Sequence, residues 1–177
     1  MTGRHLRFAD TAYVAALGAL GLLALAFYAA RNGAALVMCG LIFAGLVLAR
    51  FANFSPRTLF PVALGLVAIL WIVWIDPPAG SLRTGALAHF AGGALAGWAL
   101  SQYLRPRLAW PLWVAAALAA VFGVTVLWEL GELVADRVID TALNPNRRGA
   151  ALDVFFGSIG GGAAVLLASM LPAPKQR

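Results

Sequence analysis

The chain has 177 residues, of which 62% are hydrophobic and only 11% are charged, with a formal net charge of +6. Soluble domains carry about 25% charged residues, so the composition excludes a soluble globular protein and indicates an integral membrane protein. Since about 20 apolar residues cross a bilayer once, we expect six crossings in a single transmembrane domain, 1–177. The 13 Lys and Arg residues lie mainly at the ends of the apolar runs, as topology signals do, and nucleic-acid binding is not expected.

The first three apolar runs have simple boundaries. After a short basic tail, residues 11–30 predict the first span, and a turn at Asn32 and Gly33 leads into the second, 34–51. Residues 59–75 predict the third span. The first run is longer than the apolar core of a signal peptide and no polar cleavage region follows it, so we expect a retained anchor.

The last three predicted spans, 85–104, 108–133 and 151–171, carry unusual polar residues. The fourth holds His89 near its start, and the sixth opens with Asp153. Glycines follow in both runs, and small residues of this kind let helices approach closely. Three acids end the fifth run with spacing i, i+3 and i+7, which places them on one helix face: Glu129, Glu132 and Asp136.

The distribution of Lys and Arg predicts the orientation. The two tails and the second and fourth loops together hold eight of these residues, and the other three loops hold five. The bias is stronger when the fifth loop is set aside, because its arginines stand beside acids and can pair with them. By the positive-inside rule both termini are therefore predicted to be cytoplasmic. His89, the acids of the fifth span and Asp153 then all lie toward the outer face.

These residues form a candidate metal site, since three helices bring them to one depth: His89, Glu129, Glu132 and Asp153. Imidazole and carboxylate groups are ligands of divalent cations such as zinc, manganese and magnesium. An ionisable group in the hydrocarbon costs about 2.5 to 3.5 kcal/mol near its centre, so such groups face a bundle interior with partners. Three arginines are candidate partners of a phosphate-bearing lipid headgroup: Arg83, Arg147 and Arg148.

Each of these residues also has a purely structural explanation. Glu129 lies about 30 Å along the fifth helix from Leu108, at the opposite interface, where a solvated helix end also accounts for acids. This explanation suits Asp136 best, because Arg137 follows it directly. Asp153 suits a helix cap or a first-turn acid, and a lone histidine such as His89 is commonly a hydrogen-bonded packing residue.

The second half of the chain carries an ordered set of residues: His89 and Phe90 at a helix start, then Trp128, Glu129, Glu132 and Asp136, then Asp153 before a glycine-rich helix. This order resembles the YjdF-like family of bacterial inner-membrane proteins and, more distantly, the VanZ-like family. The resemblance covers residues 85–171. Where the YjdF-like pattern has an Asp-Thr step before the last acid, this chain has Arg147 and Arg148. The resemblance implies a multi-span protein of the bacterial inner membrane, with a VanZ-like link to envelope or lipid contexts.

Three functions from different classes remain open. The first is an outward-facing site for a divalent cation or a lipid or envelope ligand, on which a hydrolase would use Glu129 or Glu132 as general base. No Ser or Cys nucleophile motif accompanies it, so catalysis stays open. The second is a non-catalytic accessory or structural subunit of a larger membrane complex, in which lipids and other subunits are the partners. A transporter is disfavoured, because no acid lies near the middle of the membrane.

Overall fold

The computed structural model describes the backbone of residues 2–75, 82–139 and 147–171, and the side chains of 8–73, 85–139 and 149–171. These residues form helices and contain no strand, which confirms the predicted all-α class. In chain order, the helices are α1 (Thr2–Ala29), α2 (Gly33–Phe51), α3 (Pro56–Ile75), α4 (Leu82–Leu104), α5 (Trp110–Ile139) and α6 (Arg147–Met170).

Five stretches within these helices are long and apolar enough to cross a membrane: Phe8–Ala29, Gly33–Phe51, Pro56–Val73, Trp110–Ile139 and Gly149–Met170. The chain is therefore a multi-pass helical membrane protein. The described part of α4 is long enough but less apolar, because it contains His89, Gln102 and several glycines. Its crossing, and with it the cytoplasmic placement of both termini, stays a prediction.

The helices are longer than the predicted spans at several ends. α1 already begins at Thr2, so most of the predicted basic tail is helical. α5 continues to Ile139, as the acidic face on its last turns requires. Local capping explains two of the starts. The Asn32 side chain accepts a hydrogen bond from the backbone N–H of Ala35 at the start of α2, and Pro56 stands at the first position of α3, where its missing N–H costs nothing.

The chain divides into two compact units, and each is described by itself. Unit 1 comprises Met1–Gly80 and Gly131–Pro145, and unit 2 comprises Ser81–Leu130 and Asn146–Arg177. In unit 1, α1 packs against α2 and α3. The Tyr13 hydroxyl donates a hydrogen bond of 3.0 Å to the carbonyl of Leu46 across this packing.

In unit 2, α4 and α6 pack with their backbones almost in contact. A Cβ atom added at Gly93 would overlap the carbonyl of Gly157, and one added at Gly97 would overlap that of Gly161. Because both pairs advance in the same direction along the chain, the two helices are parallel. The close approach that the glycines predict is therefore present, and it fixes the register between α4 and α6.

The half of unit 2 near the end of α6 has an apolar core that α5 and α6 share. Its buried members are Trp113, Ala117, Val121, Val165 and Ala168. Leu100 and Leu104 of α4 pack against this core. This half of unit 2 is thus a closely packed apolar core, and the predicted metal ligands of unit 2 lie beyond it.

Candidate functional site

A histidine and two carboxylates from three different helices meet in unit 2. His89 of α4 lies between Glu129 of α5 and Asp153 of α6. Its Nδ1 atom is 3.4 Å from Oε1 of Glu129, and its Nε2 atom is 3.8 Å from Oδ2 of Asp153. One ligand atom from each residue can be chosen so that all three lie within 4.8 Å of one another. Three ligand atoms this close together could hold a metal ion.

The register of the glycine contacts brings His89 and Asp153 together. His89 stands four residues before Gly93, and Asp153 stands four residues before Gly157. Since Gly93 and Gly157 lie against each other, the two ligand residues lie one helical turn beyond that contact, at the same level. Two parallel helices with the same glycine spacing therefore present an imidazole and a carboxylate side by side.

α5 contributes Glu129, the third residue of the site, and packs against α6 through Thr125. Thr125 lies one turn before Glu129, and its Cγ2 atom would be 2.7 Å from a Cβ atom added at Gly157. The Thr125 hydroxyl donates a hydrogen bond of 2.9 Å to the carbonyl of Phe122 and lies 3.2 Å from the hydroxyl of Ser158. Because the single Thr125 proton is used by Phe122, Ser158 is the donor in the second bond. These hydroxyls connect α5 to α6 about one helical turn from His89, Glu129 and Asp153.

The site is closed on the Glu129 side and more open on the side of the other two residues. Glu129 is only 3% exposed. The side chains of His89 and Asp153 are 19% and 24% exposed. A molecule or ion that reaches the site would therefore approach past His89 and Asp153.

The arrangement suits the binding of an ion or a small molecule better than its passage through unit 2. Moving from the ligand residues toward the other end of α6, the next polar side chains are Thr125 and Ser158, and the apolar core around Val121 and Val165 follows. At about 1.5 Å per residue, Glu129 lies roughly 28 Å from Trp110 at the start of α5. Asp153 thus lies near the start of the apolar stretch Gly149–Met170 of α6, and a packed core fills the other end of unit 2.

The other predicted site residues lie elsewhere or outside the described side chains. Glu132 is buried at 4% exposure, but it belongs to the segment of α5 in unit 1 and is not among the three residues whose ligand atoms converge. Asp136 lies one turn further along and is half-buried. Three arginines lie at the first residues of α4 and α6, and their side chains are outside the described part of the structure: Arg83, Arg147 and Arg148.

Sequence reasoning did not single out Thr125 and Ser158. A signal for Thr125 was available, because it precedes Glu129 by four residues and so shares its helix face. Ser158 carries no such signal. Its position follows Asp153 by five residues, which points it to a different face, and only the packing of α5 on α6 brings it to Thr125.

Comparisons of the chain with protein-family models, with curated proteins and with solved structures find no match. The resemblance to the YjdF-like family therefore stays a prediction. The geometry of the site is therefore the basis of the proposed function.

Proposed function

We propose that unit 2 binds a divalent metal cation at His89, Glu129 and Asp153, on the outer face of a bacterial inner membrane. The observation that carries the proposal is the convergence of three ligand atoms from three helices within 4.8 Å. Ion pairing of a protonated imidazole with the two acids is the competing explanation of the same contacts.

Charge supports this proposal. When both carboxylates are ionised, they bring two negative charges to a site whose three side chains are 5%, 19% and 24% exposed. A divalent cation neutralises both carboxylates and adds direct bonds from metal to ligand.

The donor set points to a transition metal. An imidazole nitrogen suits zinc and its neighbours, whereas magnesium and calcium prefer sites made of oxygen ligands. Zinc accepts both histidine nitrogen at about 2.0 to 2.1 Å and carboxylate oxygen at about 2.0 to 2.2 Å. Among the cations that the sequence suggests, we therefore favour zinc over manganese and magnesium.

Three protein ligands leave at least one coordination position for another molecule. Structural zinc sites use four protein ligands, while sites that act on a ligand keep a position open. The open side at His89 and Asp153 suits a phosphate-bearing lipid or envelope ligand, with Arg83, Arg147 and Arg148 as candidate partners at the starts of α4 and α6.

The test is an equilibrium titration of the purified, chelator-treated protein with zinc in detergent. We expect about one bound zinc ion per chain and an affinity that falls by more than about tenfold in His89→Ala, because losing a ligand costs more than losing a supporting partner. His5→Ala is the matched control. His5 is the other of the two histidines in the chain, and it lies in α1, within unit 1.

Equal zinc binding by His89→Ala and the wild type would overturn the proposal. If the wild type binds neither zinc nor manganese, the three residues are an ion-paired cluster of a structural or accessory subunit. In that case the protein should leave the membrane in complex with other subunits when extracted with mild detergent.

A further inference from the structure

Each of the three ligand residues has a packing residue one helical turn deeper in unit 2. Gly93 follows His89 by four residues, Thr125 precedes Glu129 by four, and Gly157 follows Asp153 by four. We call these three residues, Gly93, Thr125 and Gly157, the platform. The sequence separates them widely, yet they lie against one another.

Gly157 is the centre of the platform. Its carbonyl occupies the space that a Cβ atom at Gly93 would need. A Cβ atom added at Gly157 would lie 2.7 Å from Cγ2 of Thr125 and 3.6 Å from the carbonyl oxygen of His89. A single position of α6 thus controls how near that helix comes to both α4 and α5.

We infer that the platform determines which size of cation the site accepts, and that Gly157 and Thr125 are specificity-determining residues. The inference rests on the proposed function, because it concerns the same three ligands. Helix backbones are stiff over one turn, so the separation of the platform residues is transmitted to the ligand residues just beyond them. When the platform residues are in contact, the ligand atoms are close enough to bond to a small cation and leave little room for a larger one.

The contact distances in the platform and the bond lengths of the cations support this inference. Non-bonded carbon atoms prefer about 3.5 to 4.0 Å, so a methyl group at Gly157 requires Thr125 to move away by about 1 Å. Bonds to zinc of about 2.0 to 2.2 Å are shorter than those to calcium of about 2.3 to 2.6 Å, so a movement of 1 Å exceeds the difference between small and large cations. Widening the platform should therefore weaken zinc binding more than binding of a larger ion with similar ligand preferences. Cadmium is such an ion.

The test compares the affinities of zinc and cadmium in Gly157→Ala and the wild type. We expect zinc affinity to fall by more than about tenfold, as for the loss of a residue that supports a ligand, with a smaller loss for cadmium. Gly92→Ala is the matched control, because no atom lies within 4 Å of a Cβ atom added there. It should keep both affinities.

Thr125→Ser provides the rescue. It removes the Cγ2 methyl that a side chain at Gly157 would meet, and it keeps the hydroxyl that bonds to Phe122 and contacts Ser158. The double variant Gly157→Ala with Thr125→Ser should therefore regain most of the zinc preference. It also supplies a folded protein if Gly157→Ala alone does not fold.

The outcomes separate this inference from the proposed function. If the wild type binds zinc and Gly157→Ala keeps the same ratio of zinc to cadmium affinity, the platform does not set cation size, and the metal site stands. A Gly157→Ala variant that loses both ions equally, without recovery in the double variant, also contradicts the inference. If the wild type binds neither ion, the proposed function fails, and this inference fails with it.

Discussion

At the scale of single residues, the site depends on two contacts of His89: its Nδ1 atom is 3.4 Å from Oε1 of Glu129, and its Nε2 atom is 3.8 Å from Oδ2 of Asp153. Three of the four predicted metal ligands converge: His89, Glu129 and Asp153. Glu132 shares a helix face with Glu129 in the sequence pattern, but helical spacing says only which acids are neighbours on one helix. Which of them lies beside His89 depends on packing, and no pattern within α5 encodes it.

We predict that His89 and Glu129 are energetically coupled. Removing one partner of a buried polar contact is expected to cost about 1 to 3 kcal/mol, because the other partner stays desolvated without that contact. The double variant His89→Ala with Glu129→Gln should then be less destabilised than the sum of the single variants. Thermal unfolding of all four proteins with a metal chelator present measures this coupling. Strict additivity would mean that the two residues do not share a site.

A second prediction concerns Asp153. Asp153→Asn should reduce the rise in melting temperature that zinc produces, since a bound ligand stabilises the folded state by an amount that increases with the logarithm of its affinity. Asp10→Asn is the matched control, because Asp10 is an exposed acid in α1 of unit 1. A zinc-dependent rise that is the same in both variants would remove Asp153 from the site.

At the scale of helices, much of the fold followed from the sequence. Apolar runs of about 20 residues and the turn residues between them gave the number of helices. The glycines of the fourth and sixth runs predicted a close approach, and the contact of Gly93 with Gly157 has that character. The residues that complete the packing, such as Thr125, could not be foreseen, because an isolated threonine in an apolar run has many possible neighbours.

We predict that Gly161→Leu destabilises unit 2. A Cβ atom at Gly161 would lie 2.9 Å from the carbonyl of Gly93 and 3.0 Å from Cγ2 of Val121, so a large side chain must separate the helices. Helix association within a membrane depends on such van der Waals contact. Gly92→Leu is the control, since space is open there. Folded yield and thermal stability in detergent should fall in the first variant only, and equal stability would place Gly161 outside a tight interface.

At the scale of the whole molecule, composition established a multi-pass membrane protein, but the number of crossings depends on α4. Its histidine and glycines make its described part less apolar than the crossing stretches of the other helices; the glycines pack against α6, and His89 is one of three residues that could hold a metal ion. Hydropathy reports transfer into lipid and so underestimates a helix that other helices surround. If α4 crosses, the two termini lie on one side. If it does not, they lie on opposite sides.

Cysteine labelling tests the orientation. In a Cys39→Ala background, which removes the native thiol, a cysteine at Asn32 should react with an impermeant reagent from outside, and one at Ser55 should not. A cysteine at Pro106, between α4 and α5, should also be protected if α4 crosses the membrane. Reaction at Pro106 from outside, with the other two results unchanged, would mean that α4 does not cross.

X-ray absorption at the zinc edge of the zinc-loaded protein reports whether one imidazole and two carboxylates hold a metal ion. We expect a coordination shell of nitrogen and oxygen atoms at about 2.0 to 2.2 Å, with the scattering of one imidazole ring. That ring signal should persist in His5→Ala and disappear in His89→Ala. A shell without an imidazole in the wild type, or with one that His89→Ala retains, would contradict the proposed metal site.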